Sequence, residues 1–192
     1  MTSAELTNHW LNVIPNFLIT PSELKIEFKE RWFRVHTLPN SKRYADNENE
    51  YNEILRRHNE ILTDLFGLNH PFILLTFSYG KYQKPKRDKK LQKINIQKNY
   101  WLSCQIENDE NFKPFYWHIF FDEKEWETNS LNLLFRLIAD DEVSNVMLFS
   151  PDRRIVYHPY DGGADIIFEK PDLKDFYLEK YKDWLSVHPS GL

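Results

Sequence analysis

The chain has 192 residues, with 41% hydrophobic, 16% aromatic and 28% charged residues and a formal net charge of −4 at pH 7. These proportions are typical of a globular protein and exclude fibrous and disordered chains. Cys104 is the single cysteine, and no apolar run approaches the ~20 residues of a membrane-spanning helix, so we expect a soluble, cytoplasmic protein without disulfides or a membrane partner. The N-terminal residues lack the basic and apolar regions of a signal peptide.

The first third of the chain predicts two helices separated by a strand. Apolar residues at helical spacing predict an N-terminal helix over residues 4–14, and alternating apolar residues predict a strand over 25–35. The clearest pattern covers residues 46–66, where apolar side chains recur at helical spacing, acids occupy the N-terminal end and Gly67 follows. We therefore predict a long helix there.

Strand-like runs dominate the remainder of the chain. The four longer runs cover residues 72–79, 100–107, 115–121 and 145–150. A short amphipathic helix is predicted between the last two of these runs, over residues 131–139.

Turn residues organise the C-terminal quarter. Pro151 and Asp152 predict a hairpin that returns through residues 155–157, and the Asp161-Gly162-Gly163 turn leads to a further strand over 166–168. A final helix is predicted over residues 173–185, with Phe176, Tyr177, Tyr181 and Trp184 at helical spacing. These local connections predict a single α+β domain over residues 1–192, with one mainly antiparallel sheet of about five to six strands and the long and C-terminal helices packed on it.

The charge is unevenly distributed. The basic segment, residues 81–98, holds eight basic residues and one acid, a charge of +7 that leaves −11 for the rest of the chain. Clustered lysines can neutralise phosphates, but Tyr82 is the segment's only aromatic residue for stacking on bases. We therefore predict an exposed basic loop and consider nucleic acid an improbable partner.

The double-glycine turn concentrates the most chemistry, because it brings His158, Tyr160, Asp161 and Asp165 within eight residues. Functionally, the two aspartates could form an acid/base or metal-binding pair, with His158 assisting. The structural interpretation, which we favour, is a hairpin turn in which an aspartate bonds its own backbone. The glycine spacing does not match a nucleotide-binding loop.

A second group of candidates consists of the cations Arg34, His36, Lys42 and Arg43, which could hold an anion or an acidic partner. The alternative is an ordinary basic loop, with Arg34 paired to an acid of the long helix. No serine has a nucleophile context, and the seven histidines include no His-x-x-x-His pair, so we predict no metal, no cofactor and no catalytic residue with a defined role.

Two C-terminal motifs resemble a known family. The runs Tyr160-Asp161-Gly162-Gly163-Ala164-Asp165 and Lys180-Tyr181-Lys182-Asp183-Trp184 resemble the Tyr-Asp-Asp-Arg-Gly-x-Asp turn and Tyr-x-x-Trp signature of the bacterial domain of unknown function 3885. The turn is one residue shorter here, and Gly-Gly replaces the Asp-Arg pair. The family has no established activity, but its small members look like accessory genes of toxin systems, which implies an immunity role.

Two functions follow as hypotheses. The first, which we favour, is a non-catalytic protein-binding module whose acidic, aromatic-rich surface captures a basic, toxin-like protein. The second is a small hydrolase or transferase that uses Asp161, Asp165 and His158, with Arg34 or Lys42 holding an anionic substrate.

Overall fold

A single antiparallel sheet organises the chain. The computed structural model describes residues 1–15, 20–106 and 115–185, and within these ranges the sheet has seven strands in the order β1-β7-β6-β5-β2-β4-β3. In chain order the elements are α1 (Ser3–Val13), α2 (Pro21–Glu27), β1 (Trp32–His36), α3 (Glu48–Phe66), β2 (Pro71–Gly80), α4 (Lys89–Lys93), β3 (Asn99–Ile106), β4 (Phe115–Glu125), α5 (Asn132–Ala139), β5 (Val146–Ser150), β6 (Ile155–Tyr160), β7 (Gly163–Phe168) and α6 (Pro171–Lys180). Short 3₁₀ turns cover Lys29–Arg31, Pro39–Ser41 and Lys182–Trp184.

The predicted α+β class and antiparallel sheet are confirmed, but the predicted five to six strands are too few. Both short C-terminal runs become six-residue strands, β6 and β7, because the turn at Asp161 and Gly162 lets them pair from Ile155↔Phe168 to Tyr160↔Gly163. Strand β1 then pairs with the outer side of β7 and forms one edge of the sheet.

The predicted strand over residues 25–35 is wrong in its first half. Residues Pro21–Glu27 form α2, which begins with a capping box between Thr20 and Glu23 and carries proline in its first turn. These N-terminal signals favour a helix more strongly than the short apolar alternation favours a strand. Only Trp32–His36 remains a strand.

Apolar side chains cover both faces of the sheet. Helices α3, α5 and α6 pack on one face, where Phe135 of α5 is buried with Leu74 of β2. Helices α1 and α2 cover the other face, where Trp10 of α1 is buried with Leu75 of β2. Leu74 and Leu75 point to opposite sides because successive side chains of a strand alternate. Strands β5 and β7 are buried along their whole length, which explains their continuous apolar sequences.

Residues 81–87 of the basic segment are exposed and contain no helix or strand, whereas its second half is not the exposed loop that the sequence predicts. Its second half contains α4, which Asp88 caps, and the side chains of Leu91 and Ile96 are buried. The carboxylate of Asp122 on β4 accepts hydrogen bonds from the backbone of Gln97 at 2.8 Å. The two apolar side chains and this carboxylate therefore fix residues 88–98 against the sheet.

None of the helices among the described residues has the length and apolar character needed to cross a membrane.

Candidate functional site

Three predicted site residues form a row across neighbouring strands. Arg34 of β1, Asp165 of β7 and His158 of β6 are in register, so their side chains lie on the same face of the sheet. The guanidinium of Arg34 donates to both oxygens of Asp165, from Nε at 2.8 Å and from the terminal nitrogen at 2.9 Å. His158 Nδ1 lies 3.7 Å from Asp165 Oδ2, which is too long for a hydrogen bond.

The partner of Arg34 corrects one expectation. The sequence suggested an acid of the long helix, whereas the structure pairs Arg34 with Asp165, 131 positions away. The reason is topological, because β1 joins the sheet beside β7. Lys42 makes the contact that was predicted for Arg34, because its Nζ lies 2.7 Å from Asp46 and 2.6 Å from Glu50 at the start of α3. Lys42 therefore clamps α3 and does not join the Asp165 cluster.

The second aspartate of the turn also pairs with an arginine. Asp161 is buried, and its Oδ2 accepts a hydrogen bond of 2.6 Å from Nε of the largely exposed Arg43. The backbone of Thr37 donates to the carbonyl of Gly162 at 3.2 Å. These contacts tie the β6–β7 turn to the loop that follows β1.

In the double glycine, Gly163 lies where the backbones of β7 and β1 approach each other closely. A Cβ atom on Gly163 would lie 1.9 Å from the carbonyl oxygen of Val35, a distance that no side chain tolerates. Only glycine lets β1 pair with β7 at this point, where His36 faces Gly163. Gly163 is thus explained by strand pairing, without a phosphate ligand.

Aromatic rings surround the Arg34 guanidinium. Its central carbon lies 4.5 Å from the centre of the Tyr160 ring and 5.7 Å from that of Trp32, within the range of cation–π attraction. Burial raises the pKa of the Tyr160 hydroxyl, so this group stays protonated at neutral pH. His36 is buried on the same strand, and burial together with the charge of Arg34 lowers its pKa.

The low pKa of the Asp165 carboxyl indicates an ion pair. Burial raises its pKa, but His158 and the hydrogen-bonded Arg34 outweigh burial and hold the pKa at about 2. A general acid or base works best when its pKa is near the working pH. Because both Asp161 and Asp165 are engaged by arginines, the cluster is arranged as a structural clamp between β1, β7 and the following loop.

Several polar atoms of the cluster have no hydrogen-bond partner within the described ranges. They are Trp32 Nε1, His36 Nε2, His158 Nδ1 and the Tyr160 hydroxyl. Such atoms are uncommon in folded proteins, and they are the groups through which this cluster could bind a further polar molecule. In residues 1–15, 20–106 and 115–185, no three His, Cys, Asp or Glu side chains are grouped to hold a metal ion.

Comparison with known proteins bears on the turn and the C-terminal helix. A family model described as Domain of unknown function (DUF3885) matches residues 20–189. The chain belongs to the DUF3885 family. The match includes the double-glycine turn and the Lys180–Trp184 motif, so it confirms the resemblance of both. No curated protein and no solved structure matches the chain.

Helix α6, which precedes the Tyr181–Trp184 motif, presents a surface that the sequence analysis did not identify. Phe176 is one of the aromatic residues at helical spacing in the predicted helix, and its side chain is 63% exposed. Its neighbour Tyr177 points inward and stacks on Phe168 of β7, with ring centres 5.3 Å apart. Adjacent helical residues diverge by about 100°, and α6 turns Tyr177 towards the sheet and leaves Phe176 exposed. Helical spacing alone gave no signal that distinguishes the two residues.

Acids surround Phe176 on the outside of α6. We define the α6 acidic face as Asp172, Leu173, Asp175, Phe176 and Glu179, all of which are exposed. The helix's lysines are directed elsewhere, because Lys174 Nζ lies 3.5 Å from the carbonyl of Lys29 and Lys180 pairs with Asp64 of α3. Glu179 pairs with Lys182 at 2.8 Å, so the negative charge beside the exposed Phe176 ring comes from Asp172 and Asp175.

Proposed function

We propose that this DUF3885 chain is a non-catalytic binding module that captures a basic protein on its α6 acidic face, as an immunity protein captures a toxin. The observation that carries the proposal is the exposed ring of Phe176, placed beside the carboxylates of Asp172 and Asp175. We place the encounter in a bacterial cytoplasm, in keeping with the lone, half-buried thiol of Cys104.

Both components of this surface have a physical role in binding. A large aromatic side chain at the centre of an interface often contributes a dominant share of the affinity. Negative charge around it attracts a basic partner over a distance and speeds association. Leu173, at the edge of the same face and 44% exposed, extends the apolar contact beyond the Phe176 ring.

The alternative of a hydrolase or transferase stays a prediction that the geometry supports less well. An anionic substrate would have to replace Asp165 as the partner of Arg34, although this pair is bidentate and largely buried. Asp165 would then lose the arginine that helps hold its pKa at about 2. Breaking a buried pair of this kind costs about 3–5 kcal/mol.

The proposal is tested with the basic proteins encoded by genes that neighbour the one for this chain. Each is purified and titrated against the chain by isothermal calorimetry. We expect one of them to bind, and the Phe176→Ser variant to weaken this binding at least about 30-fold, the loss typical of a hot-spot residue. Leu133→Ser on α5 is the matched control, because Leu133 is 57% exposed on another helix.

A second pair of variants tests the charge. The double change Asp172→Asn with Asp175→Asn should slow association and reduce its dependence on salt, whereas Glu127→Gln, an exposed acid after β4, should change neither. The proposal fails if no neighbouring gene product binds, or if Phe176→Ser and Leu133→Ser weaken binding equally.

A further inference from the structure

A surface separate from α6 combines positive charge with exposed aromatic rings. Strand β2 pairs with β5 only from Ile73 to Thr76, so its last residues, up to Gly80, extend beyond the start of β5. The basic segment folds back over this extension, where the hydroxyl of Ser78 donates to the carbonyl of Lys86 at 2.5 Å. This arrangement brings the lysines of the segment beside the tyrosines of β2 and the following turn.

Two adjoining depressions mark the surface. The first has a volume of about 480 Å³ and is lined by Lys86, Arg87, Lys89 and Lys90 together with the end of β2. The second has a volume of about 560 Å³ and is lined by Lys81, Tyr82 and Lys84. Tyr79 and Lys86 line both, so the two depressions adjoin and together form one surface. We call it the basic–aromatic track.

Most of its cations are free of acidic partners. Within the described residues, Lys81, Lys84, Lys86 and Lys89 make no salt bridge, whereas Lys90 pairs with Glu142 at 3.1 Å. The guanidinium of Arg87 donates to the main-chain carbonyls of Gln97 and Lys98, at 2.7 and 2.9 Å, and so keeps its net charge. Two acids line the first depression, Glu142 and Asp88, and Asp88 is occupied in capping α4.

The aromatic rings are arranged as a platform. Tyr79 is 58% exposed, and its inner side rests on Trp117 of β4 with ring centres 3.9 Å apart. Phe77 supports Trp117 in turn, edge to face at 5.4 Å. Tyr82 is 78% exposed at the other end of the second depression. From the sequence, only Tyr82 was identified as a stacking residue, because Tyr79 and Trp117 lie outside the basic segment.

We propose that the basic–aromatic track binds single-stranded nucleic acid. Bases stack on the exposed sides of Tyr79 and Tyr82, and the phosphates lie along Lys81, Lys84, Lys86 and Lys89. Positive charge interleaved with stacking rings is the arrangement that single-strand-binding proteins use. A duplex cannot use the rings because its bases are already stacked. The two adjoining depressions fit a strand of several nucleotides better than a single nucleotide.

The test measures fluorescence anisotropy of a fluorescein-labelled oligothymidylate of 12 nucleotides mixed with the full chain. We expect binding that weakens with salt at a log–log slope of about −3, the value for four neutralised phosphates on a single strand. Tyr82→Ala should raise the Kd about tenfold, the loss expected for one stacked base. Tyr44→Ala removes an exposed tyrosine outside the track and should leave the Kd unchanged.

Two competitors separate a nucleic-acid site from a general anion site. Polyglutamate and a 12-base-pair duplex should displace the labelled strand poorly at equal charge. The proposal is overturned if no binding occurs at 50 mM NaCl, if either competitor matches the unlabelled strand, or if Tyr82→Ala binds as tightly as the unaltered chain. These outcomes are independent of the α6 acidic face, because Phe176→Ser should not change binding of the strand.

Discussion

Replacing Asp165 by asparagine should destabilise the protein by an amount that depends on pH. The variant keeps the shape of the side chain but removes the negative charge that faces the buried guanidinium of Arg34. The pKa of Asp165 falls from 3.8 to about 2 in the folded protein. One pKa unit corresponds to about 1.4 kcal/mol, so the charge of Asp165 contributes about 2 kcal/mol at neutral pH.

The direction of the pH effect follows from that shift. Because the pKa of Asp165 is lower in the folded state than in the unfolded chain, the unfolded chain binds this proton more readily. The stabilisation is complete above about pH 4 and is lost as the pH falls from about 4 towards about 2. The difference in unfolding free energy between the unaltered chain and Asp165→Asn should therefore shrink by about 2 kcal/mol over this range.

Urea unfolding followed by tryptophan fluorescence at pH 6, 4 and 2 measures this difference. Asp152→Asn, in the exposed turn between β5 and β6, is the control and should change the unfolding free energy by no more than about 0.5 kcal/mol. A gap between the unaltered chain and Asp165→Asn that stays constant with pH, or no gap at pH 6, would refute the ion pair as a stabilising clamp.

Three further predictions concern the core. Burial lowers the pKa of His58 to about 3, so between pH 6.5 and pH 3 mainly the unfolded chain takes up this proton. From pH 7 to pH 5 in urea unfolding, His58→Gln should therefore lose about 2 kcal/mol less stability than the unaltered chain. Gly163→Ala places a Cβ atom 1.9 Å from the carbonyl of Val35 and should lower the calorimetric Tm by about 10 °C, more than Gly162→Ala does. Leu91→Ala should cost about 2–5 kcal/mol in urea unfolding, because Leu91 is a buried anchor of the basic segment.

Each of these predictions has a contrary result. Equal pH dependence in His58→Gln and the unaltered chain would mean that His58 is protonated in the folded state. A Tm of Gly163→Ala no lower than that of Gly162→Ala would mean that β1 does not need the close approach. If Leu91→Ala left the unfolding free energy unchanged, the Leu91 side chain would not anchor the basic segment to the sheet.

Elements with strong periodicity could be predicted from the sequence. Helix α3 follows from apolar residues at helical spacing, and its ends match Asn47, whose side chain accepts from the backbone of Glu50, and Gly67, which has a φ of 85°. The first helix, predicted over 4–14 and observed over Ser3–Val13, follows for the same reasons. In both cases the periodicity and the end signals agree, so local sequence determines the element.

Contacts between distant segments could not be predicted. The pairing of Arg34 with Asp165 depends on which strand adjoins β1, and sequence separation gives no sign that β7 lies there. The role of Gly163 depends on the same adjacency, because the obstructing atom belongs to Val35. The turn was therefore recognisable in the sequence, whereas its role in holding β1 was not.

The exposed ring of Phe176 illustrates a different limit. Helical spacing groups Phe176 with Tyr177 and Tyr181 but does not tell which of these side chains is exposed. Tyr177 of α6 and Tyr181 directly after it point inward, since Tyr177 stacks on Phe168 and Tyr181 is 3% exposed with its hydroxyl donating to Asp64. Large apolar side chains are usually buried, but a binding surface exposes some of them. This general rule therefore fails at the surface where we infer function.

Hydrogen–deuterium exchange on the complex with a basic neighbouring gene product tests the proposed binding surface most directly. We predict that backbone protection on complex formation is concentrated in residues 172–183, on and directly after α6. The turn at Asp161 and the basic–aromatic track should exchange as they do in the free protein. Protection elsewhere, with residues 172–183 unchanged, would contradict the assignment of α6 as the surface that binds the partner.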